Sequence, residues 1–410
     1  MRALVFDPSP SRIVLAGAVS RWRPWLALRG RAPLFLDEVA EPACPGPDWV
    51  RLRVVATGIC GSDVKEATLQ ASSDNPLSAL VSFPHTPGHE IVAQVAEARA
   101  GTGPAEGTLV AVDPWLGCDA RGLAQRCPAC AAGFPPHCSQ VLAGGPWGTG
   151  HGMHLGTVRG LPGGFAQIIH AHRSQLHPLP GDLSPAVAVL ADPVAVALHA
   201  VRRADLDRAR SVVVLGAGTI GLALTLAARE RWPAADVLVT CAWPHQVELV
   251  RELGARPVAP QRLLAELAEE GGSQLAHPWR GGPWTLTGGP DLVLDSIGSP
   301  ATAEQALRVV ADRGTIVTVG VGRPGRVEDT LAYYKEVRQL GSSGYGREGP
   351  LASSPHLLDS ALELLRRQQA TVSGWLTHTF PIQRWGEAFT VAARPDQSRA
   401  IKVTLRLWED

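Results

Sequence analysis

The sequence predicts a two-part protein of the α/β plus β class, in which a strand-rich domain precedes a doubly wound parallel sheet. Two observations carry this prediction. From Ala186 onward, continuous apolar runs such as SVVVL (211–215), VLVT (237–240), DLVLDSIG (291–298) and GTIVTVGVG (314–322) alternate with helical segments. Strands without polar alternation, separated by helices, belong to a parallel sheet covered on both faces. Ahead of them, about 180 residues read as short strands punctuated by Gly and Pro, and VRLRVVATG (50–58) alternates as a half-buried strand does. At 410 residues the chain exceeds a single compact core, so two domains are expected.

Composition narrows the function. Hydrophobic residues make up 45% and charged residues 19%, a globular balance. Lysine plus arginine equals aspartate plus glutamate at 38 each, and no basic tail or stripe is present, which argues against nucleic acid as a partner. The opening MRALVFDPSP is too short in apolar residues for a signal core, and no run approaches a membrane span. The expectation is a cytoplasmic enzyme with a small-molecule substrate.

In chain order, the N-terminal segment reads as a hairpin interrupted around Trp22–Trp25 and Pro33, with residues 17–33 as an elaboration of it. IVAQVAEA (91–98) and TLVAVDP (108–114) read as further strands. Residues 1–184 form the expected first domain, with a cysteine-rich lobe at 115–140. The second spans 185–345, its first helix expected after Pro193, with HQVELVRELGA and TAEQALRVVADRG as later helices. Residues 346–410 return to the first domain through an amphipathic helix, LLDSALELLRR, and a strand, AIKVTLRLWED.

Gly216, Gly218 and Gly221 form GxGxxG between SVVVL and an apolar helix that opens with Thr219 and Ile220. The first glycine permits a tight turn, the second a close backbone approach to a pyrophosphate, and the third close helix packing. The helix N-terminus supplies N–H donors to phosphate. An NAD site usually has an acid at the end of the next strand, about 20 residues on. Here that strand runs into Cys241, Ala242, Trp243, Pro244 and His245, while Asp236 lies at its wrong end. With no acid to repel a 2′-phosphate, no arginine to grip one, and His245 as one polar contact, the reading leans slightly from NAD toward NADP.

Seven cysteines are present, and Cys118, Cys127, Cys130 and Cys138 crowd into 21 positions. Four thiolates suit a closed tetrahedral zinc that holds a loop and does no chemistry. A second site is assembled from distant residues: Cys60 in GICGSD, His89 and Glu90 in PGHE, and Asp192 in LADP. Thiolate, imidazole and one carboxylate, from Glu90 or Asp192, make three ligands and leave an open position for substrate oxygen.

GICGSD, GHE, the four-cysteine lobe, GAGTIG and the DLVLDSIG strand together resemble the zinc-containing medium-chain alcohol dehydrogenases over nearly the whole chain. The resemblance implies a GroES-like, partly closed β-barrel catalytic domain and a Rossmann domain. It implies Cys60 and His89 as ligands of catalytic zinc, Ser62 as the proton-relay hydroxyl, and Glu90 as a glutamate that can enter the coordination sphere. Asp192 falls where the threonine and polyol (sorbitol) dehydrogenase branch places a glutamate. The expectation is therefore two zinc ions per chain and reversible hydride transfer between NAD(P) and an alcohol, with polyols, sugars or amino-acid alcohols favoured. The resemblance also implies a homodimer or homotetramer, with the VLDSIG to TVGVG region compatible with a shared sheet edge.

Two features depart from the family pattern. Asp192 is one methylene shorter than glutamate, and eight residues rather than two separate the first two lobe cysteines. Asp63 reads as a partner that fixes the His89 tautomer. His85, His151, His154, His170 and His172 read as groups able to approach the cleft or, more simply, as loop or surface histidines, and His137 as a lobe residue. Trp115 and Trp147 read as core packing or pocket walls, and Lys335 as a residue near the cofactor cleft or on the surface. The competing readings are a zinc-independent quinone or enoyl reductase, which would lack the Cys60 and His89 pair, and a non-enzymatic binding protein.

Overall fold

The computed structural model describes residues 1–20, 28, 32–70, 75–98, 101, 103–322, 325–347 and 354–408. Of the 17–33 elaboration, residues 21–27 and 29–31 lie outside the described residues. The chain divides into two compact units, one of Met1–Asp192 with Tyr345–Asp410, the other Pro193–Gly344.

The opening hairpin of the first unit pairs Arg2–Phe6 antiparallel with Leu34–Glu38, in register Arg2 to Glu38. Its main sheet is built around the long strand Trp49–Ile59, which pairs with Glu90–Glu97, Ile168–His172 and the C-terminal strand Lys402–Arg406. Leu109–Val112 and Leu176–Pro178 extend the sheet on one side and Leu376–Pro381 on the other. The terminal strand thus returns to the N-terminal sheet, as AIKVTLRLWED implies. Val50, Leu52, Val54, Ile91, Ala93, Val110, Val112, Phe165 and Phe389 fill its core. The helix Leu357–Arg367 buries Leu357, Leu358, Ala361, Leu362, Leu364 and Leu365, the face its apolar spacing marks out.

In the second unit all six main strands are parallel, ordered Arg256–Val258, Asp236–Thr240, Ser211–Leu215, Leu292–Asp295, Thr315–Thr318, Arg338–Gly341. The chain first winds outward from Ser211–Leu215 in one direction, then restarts beside it and winds the other way. A ligand crevice forms where the direction reverses, at the carboxyl end of Ser211–Leu215, and the glycine turn follows that strand directly. The fold is the GroES-like plus Rossmann pairing that the motifs imply.

Two expectations need correction. The helix at the start of the second unit begins at Ala191, not after Pro193. Proline is accommodated because first-turn N–H groups have no intrahelical acceptor to lose. The VLDSIG strand is not an edge: Leu292–Asp295 is flanked on both sides, and the two edges of this sheet are Arg256–Val258 and Arg338–Gly341. A strand bonded on both sides has no unpaired backbone groups to offer a second copy. Among the described residues, no helix is long and apolar enough to cross a membrane.

Candidate active site and metal centres

Strand ends bring the distant candidates together. Cys60 follows the last residue of Trp49–Ile59, and Glu90 opens the neighbouring strand with Gly58 opposite it. Cys60, His89 and Glu90 each present a ligand atom within 4.8 Å of the others. The fit around Glu90 is close: a Cβ on Gly58 would come within 1.8 Å of its Oε2, so only glycine leaves room for the carboxylate.

Cys60 is the N-cap of the short helix Gly61–Ala67, and its backbone N–H donates to Asp63 Oδ2 at 2.8 Å. The other oxygen of Asp63 lies 3.7 Å from His89 Nδ1. Burial alone would push His89 down, but the Asp63 carboxylate and the Cys60 thiol outweigh it and hold the imidazole well above its ordinary range. Burial raises Asp63 to about 6, against the pull of His89. Ser62 is exposed in the first turn of the same helix.

Asp192 stands outside the group formed by Cys60, His89 and Glu90. Its Oδ1 accepts from the Tyr345 hydroxyl at 2.8 Å. Burial raises Asp192 to about 6, with His89 opposing and Glu90 adding to the rise.

In the lobe, all four thiols converge within 4.8 Å and none is in a disulfide. Cys118 Sγ lies 3.6 Å from Cys138 Sγ, and Cys127 Sγ lies 4.0 Å from it. A tetrahedron with Zn–S bonds of about 2.3 Å has edges of about 3.8 Å, so the spacing fits the ion. Backbone N–H groups of Cys118 and Cys127 donate to Cys130 and Cys118 sulfurs, as thiolate ligands require. The Cys130 thiol donates to Cys138, which lowers the Cys138 thiol below its ordinary range. The eight-residue separation therefore enlarges a loop without dispersing the cysteines.

The glycine turn has the geometry its spacing implies. Gly216 has φ +94° and its N–H donates to Thr240 Oγ1 at 2.7 Å. A Cβ on Gly221 would meet Gly216 O at 1.9 Å, whereas one on Gly218 would meet nothing within 4 Å. The open face at Gly218 sits at the N-cap of the helix Thr219–Arg231. Beyond the next strand, Cys241 is buried and pushed up to about 11 by desolvation. The Trp243 and His245 rings stack 5.9 Å apart at 6°. Gln246 Oε1 accepts from the Ala242 and Trp243 N–H groups, which orders this turn from within.

Residues 46–181 match the family described as alcohol dehydrogenase GroES-like domain, and residues 219–359 the family described as zinc-binding dehydrogenase. The chain is a zinc-binding medium-chain dehydrogenase. It is thus an enzyme, an oxidoreductase of the alcohol dehydrogenase type. This dehydrogenase is 28% identical to 2-dehydro-3-deoxy-L-galactonate 5-dehydrogenase of Pseudoalteromonas atlantica, over 84% of its own chain and 88% of the relative. It is 25% identical to sorbitol dehydrogenase of Halalkalibacterium halodurans, over 92% and 96%. An alcohol dehydrogenase of Escherichia coli CFT073, solved with NADH, superposes with TM-score 0.70 at 20% identity, covering 99% of each chain. A zinc-binding dehydrogenase of Sinorhizobium meliloti 1021, solved with NADP, gives 0.68 at 24%, covering 91% and 95%.

Two residues of the dehydrogenase that sequence reasoning passed over stand at the site, together with one of the histidines it weighed. Lys402, 2% exposed, donates to both oxygens of Glu90 at 2.7 and 2.6 Å and to Ile59 O at 3.3 Å. Its signal was a lone lysine inside the apolar terminal strand. Tyr345 is fully buried and holds Asp192; nothing in GSSGYG marked it. His154 packs its ring 5.2 Å from His89 and 5.2 Å from Trp115, and its Nδ1 bonds Leu155 O at 2.6 Å. That bond places the proton on Nδ1 and a lone pair on Nε2.

Several histidines are not loop or surface groups. His170 and His172 are buried on a paired strand, and desolvation pushes both down. His85 is buried with its ring against Phe6 and its Nε2 3.3 Å from Glu66. The period-two pattern of IIHAH hid this, because the strand is covered on both faces. His137 is exposed in the lobe as expected. Trp147 packs against the core and meets Trp49 edge-on at 5.7 Å. Lys335 is 1% exposed, so it is not a surface residue; it donates to Val310 O, Leu307 O and Thr285 Oγ1 at the end of the helix Pro300–Val309.

Proposed function

We propose that this dehydrogenase oxidises the hydroxyl of a polyol, sugar or sugar acid, and reduces the matching carbonyl in reverse, with zinc at Cys60, His89 and a carboxylate. The convergence of Cys60, His89 and Glu90 at a strand edge carries this reading. The relatives named for sugar-acid and sorbitol oxidation support the substrate class.

When bound, zinc supplies Lewis acidity that lowers the hydroxyl pKa, and the nicotinamide accepts the hydride. The chain's residues do the rest. Cys60 as thiolate and His89 as neutral imidazole are the soft and borderline donors zinc prefers. The Asp63 carboxylate, 3.7 Å from His89 Nδ1, favours a proton on that nitrogen, which would leave Nε2 to ligate. Ser62, exposed beside Cys60, receives the substrate proton and hands it to solvent. Lys402 binds both Glu90 oxygens, and each oxygen keeps a further lone pair through which Glu90 could ligate. Asp192, held by Tyr345, is the alternative carboxylate. The four-cysteine lobe holds a second, structural zinc.

For the nicotinamide cofactor, Gly216, Gly218 and Gly221 with the N–H groups of Thr219 and Ile220 form the pyrophosphate cradle. The strand Asp236–Thr240 ends on Thr240 and continues into Cys241 with no acid, while Asp236 is engaged by Arg256 at the opposite end. This favours NADP over NAD, with His245 as a polar contact. Assembly as a homodimer or homotetramer accompanies this reading; light scattering measures it.

The test is absorbance of reduced nicotinamide in the presence of a panel of polyols, sugars and sugar acids with each cofactor. Turnover that disappears together with one zinc per chain in Cys60→Ala supports the reading. Full turnover in that variant removes the catalytic role of the ion.

A further inference from the structure

A third group of metal-ligating side chains lies in the first unit, apart from both zinc sites. Asp113, His177 and His356 each present a ligand atom within 4.8 Å of the others, and all three are buried. Asp113 follows the strand Leu109–Val112, His177 is central in the adjacent strand Leu176–Pro178, and His356 caps the helix Leu357–Arg367. The cluster therefore joins the strand-rich sheet to the returning C-terminal segment.

Of the three, His177 is already arranged for an ion. His177 Nδ1 donates to Asp359 Oδ1 at 2.6 Å. That bond leaves the lone pair on Nε2, and Nε2 is buried with no hydrogen-bond partner among the described residues. A carboxylate behind one imidazole nitrogen, with the other nitrogen aimed into a buried space, is the arrangement by which proteins orient and strengthen a histidine ligand. An unpaired buried acceptor is costly when nothing fills the space before it.

His356 Nε2 lies 3.3 Å from Asp113 Oδ2, with side chains 7% and 4% exposed. Two ligands at about 2.0–2.1 Å from a tetrahedral ion are about 3.3–3.4 Å apart. The His177 and His356 rings are 4.6 Å between centroids. The Asp113 carboxylate accepts from Trp115 N–H at 3.2 Å and has no lysine or arginine ion-pair partner among the described residues.

We propose that Asp113, His177 and His356 bind a third divalent ion, zinc by its donor set of two imidazoles and one carboxylate. Water fills the fourth position. His177 and His356 contribute Nε2 and Asp113 contributes Oδ2. Loading has one local requirement: the His356 proton moves from Nε2 to Nδ1, so Nδ1 gives up its 3.2 Å contact with Leu358 N–H. The ion fastens the start of the returning helix to two strands of the sheet, and its role is structural. Tyr345, which holds Asp192, has its ring 6.0 Å from that of His356, so this fastening borders the residues around the catalytic centre.

The deciding measurement is anomalous diffraction on either side of the zinc absorption edge, from crystals of the wild-type chain equilibrated with zinc chloride. The expected result is a peak between His177, His356 and Asp113, resolved from any at Cys60 and His89 or in the four-cysteine lobe. No peak there overturns the proposal, whatever the other two positions show. In solution, zinc content after dialysis should fall by one ion per chain in His177→Gln and in His356→Gln. An unchanged count in variants with native circular dichroism overturns it equally. Should both variants fail to fold, the wild-type diffraction result decides alone.

Discussion

Replacing Lys402 with methionine keeps an unbranched apolar stem, one atom shorter, and removes the cation from a pair whose side chains are 3% and 2% exposed. The Glu90 carboxylate would then lose the two short bonds at 2.7 and 2.6 Å and remain in a space too tight for a Cβ at Gly58. Stranding one partner of a buried pair costs about 3–5 kcal/mol. Protonation limits that cost. An unfolded-chain glutamate titrates near ~4.3, so neutralising it costs about 4 kcal/mol at pH 7 and about 2 kcal/mol at pH 5.5, at about 1.4 kcal/mol per unit. The variant should thus lose about 3–4 kcal/mol at pH 7 and roughly half that at pH 5.5. The sign follows from the folded variant retaining a proton that its unfolded chain releases as pH rises. Bound zinc supplies a cation beside Glu90, so the loss should shrink in the metal-loaded protein and grow after chelation. The assay is urea unfolding of wild type and variant at both pH values, with and without chelator, read as midpoint and slope. A loss under about 1 kcal/mol at pH 7, or one that does not change with pH, would refute the claim that Lys402 is the compensating charge.

Other perturbations separate the remaining parts. Cys130→Ser should release the lobe zinc and raise the protease sensitivity of residues 115–140, while the ion at Cys60 stays; metal content and limited digestion report this. Burial, aided by His89, holds His154 down to about 3 against 6.5 when free. As pH falls through that window the unfolded chain takes up a proton the folded site refuses, so stability falls. His154→Phe should flatten this acid limb of the melting-temperature profile. Lys335→Met removes the donor to Val310 O, Leu307 O and Thr285 Oγ1, and should cost about 2–3 kcal/mol with no change in zinc content. Gly221→Ala would drive a methyl onto Gly216 O and should abolish nicotinamide binding, measured by fluorescence titration.

Local chemistry made much of the molecule readable from its residues. The parallel strands were visible because both faces of that sheet are covered, which forces continuous apolar runs such as SVVVL. The glycine turn was visible because a φ of +94° at Gly216 and the absence of space at Gly221 admit no other residue without strain. The four lobe cysteines were readable because the ligands lie within one short stretch, and a thiolate cluster has few other uses in a chain without disulfides.

Tertiary structure alone decided the partners of those groups. Glu90 and Lys402 are 312 positions apart, and only the pairing of the C-terminal strand with Trp49–Ile59 makes them an ion pair. Tyr345 with Asp192, and His356 with Asp113, meet for the same reason: a segment returns to a sheet built early in the chain. Sequence patterns report the environment along one element, through its period and its turns. Electrostatics and coordination depend on distances of a few ångströms between elements, and a carboxylate in the sequence carries no mark of which distant cation, imidazole or ion will stand opposite it.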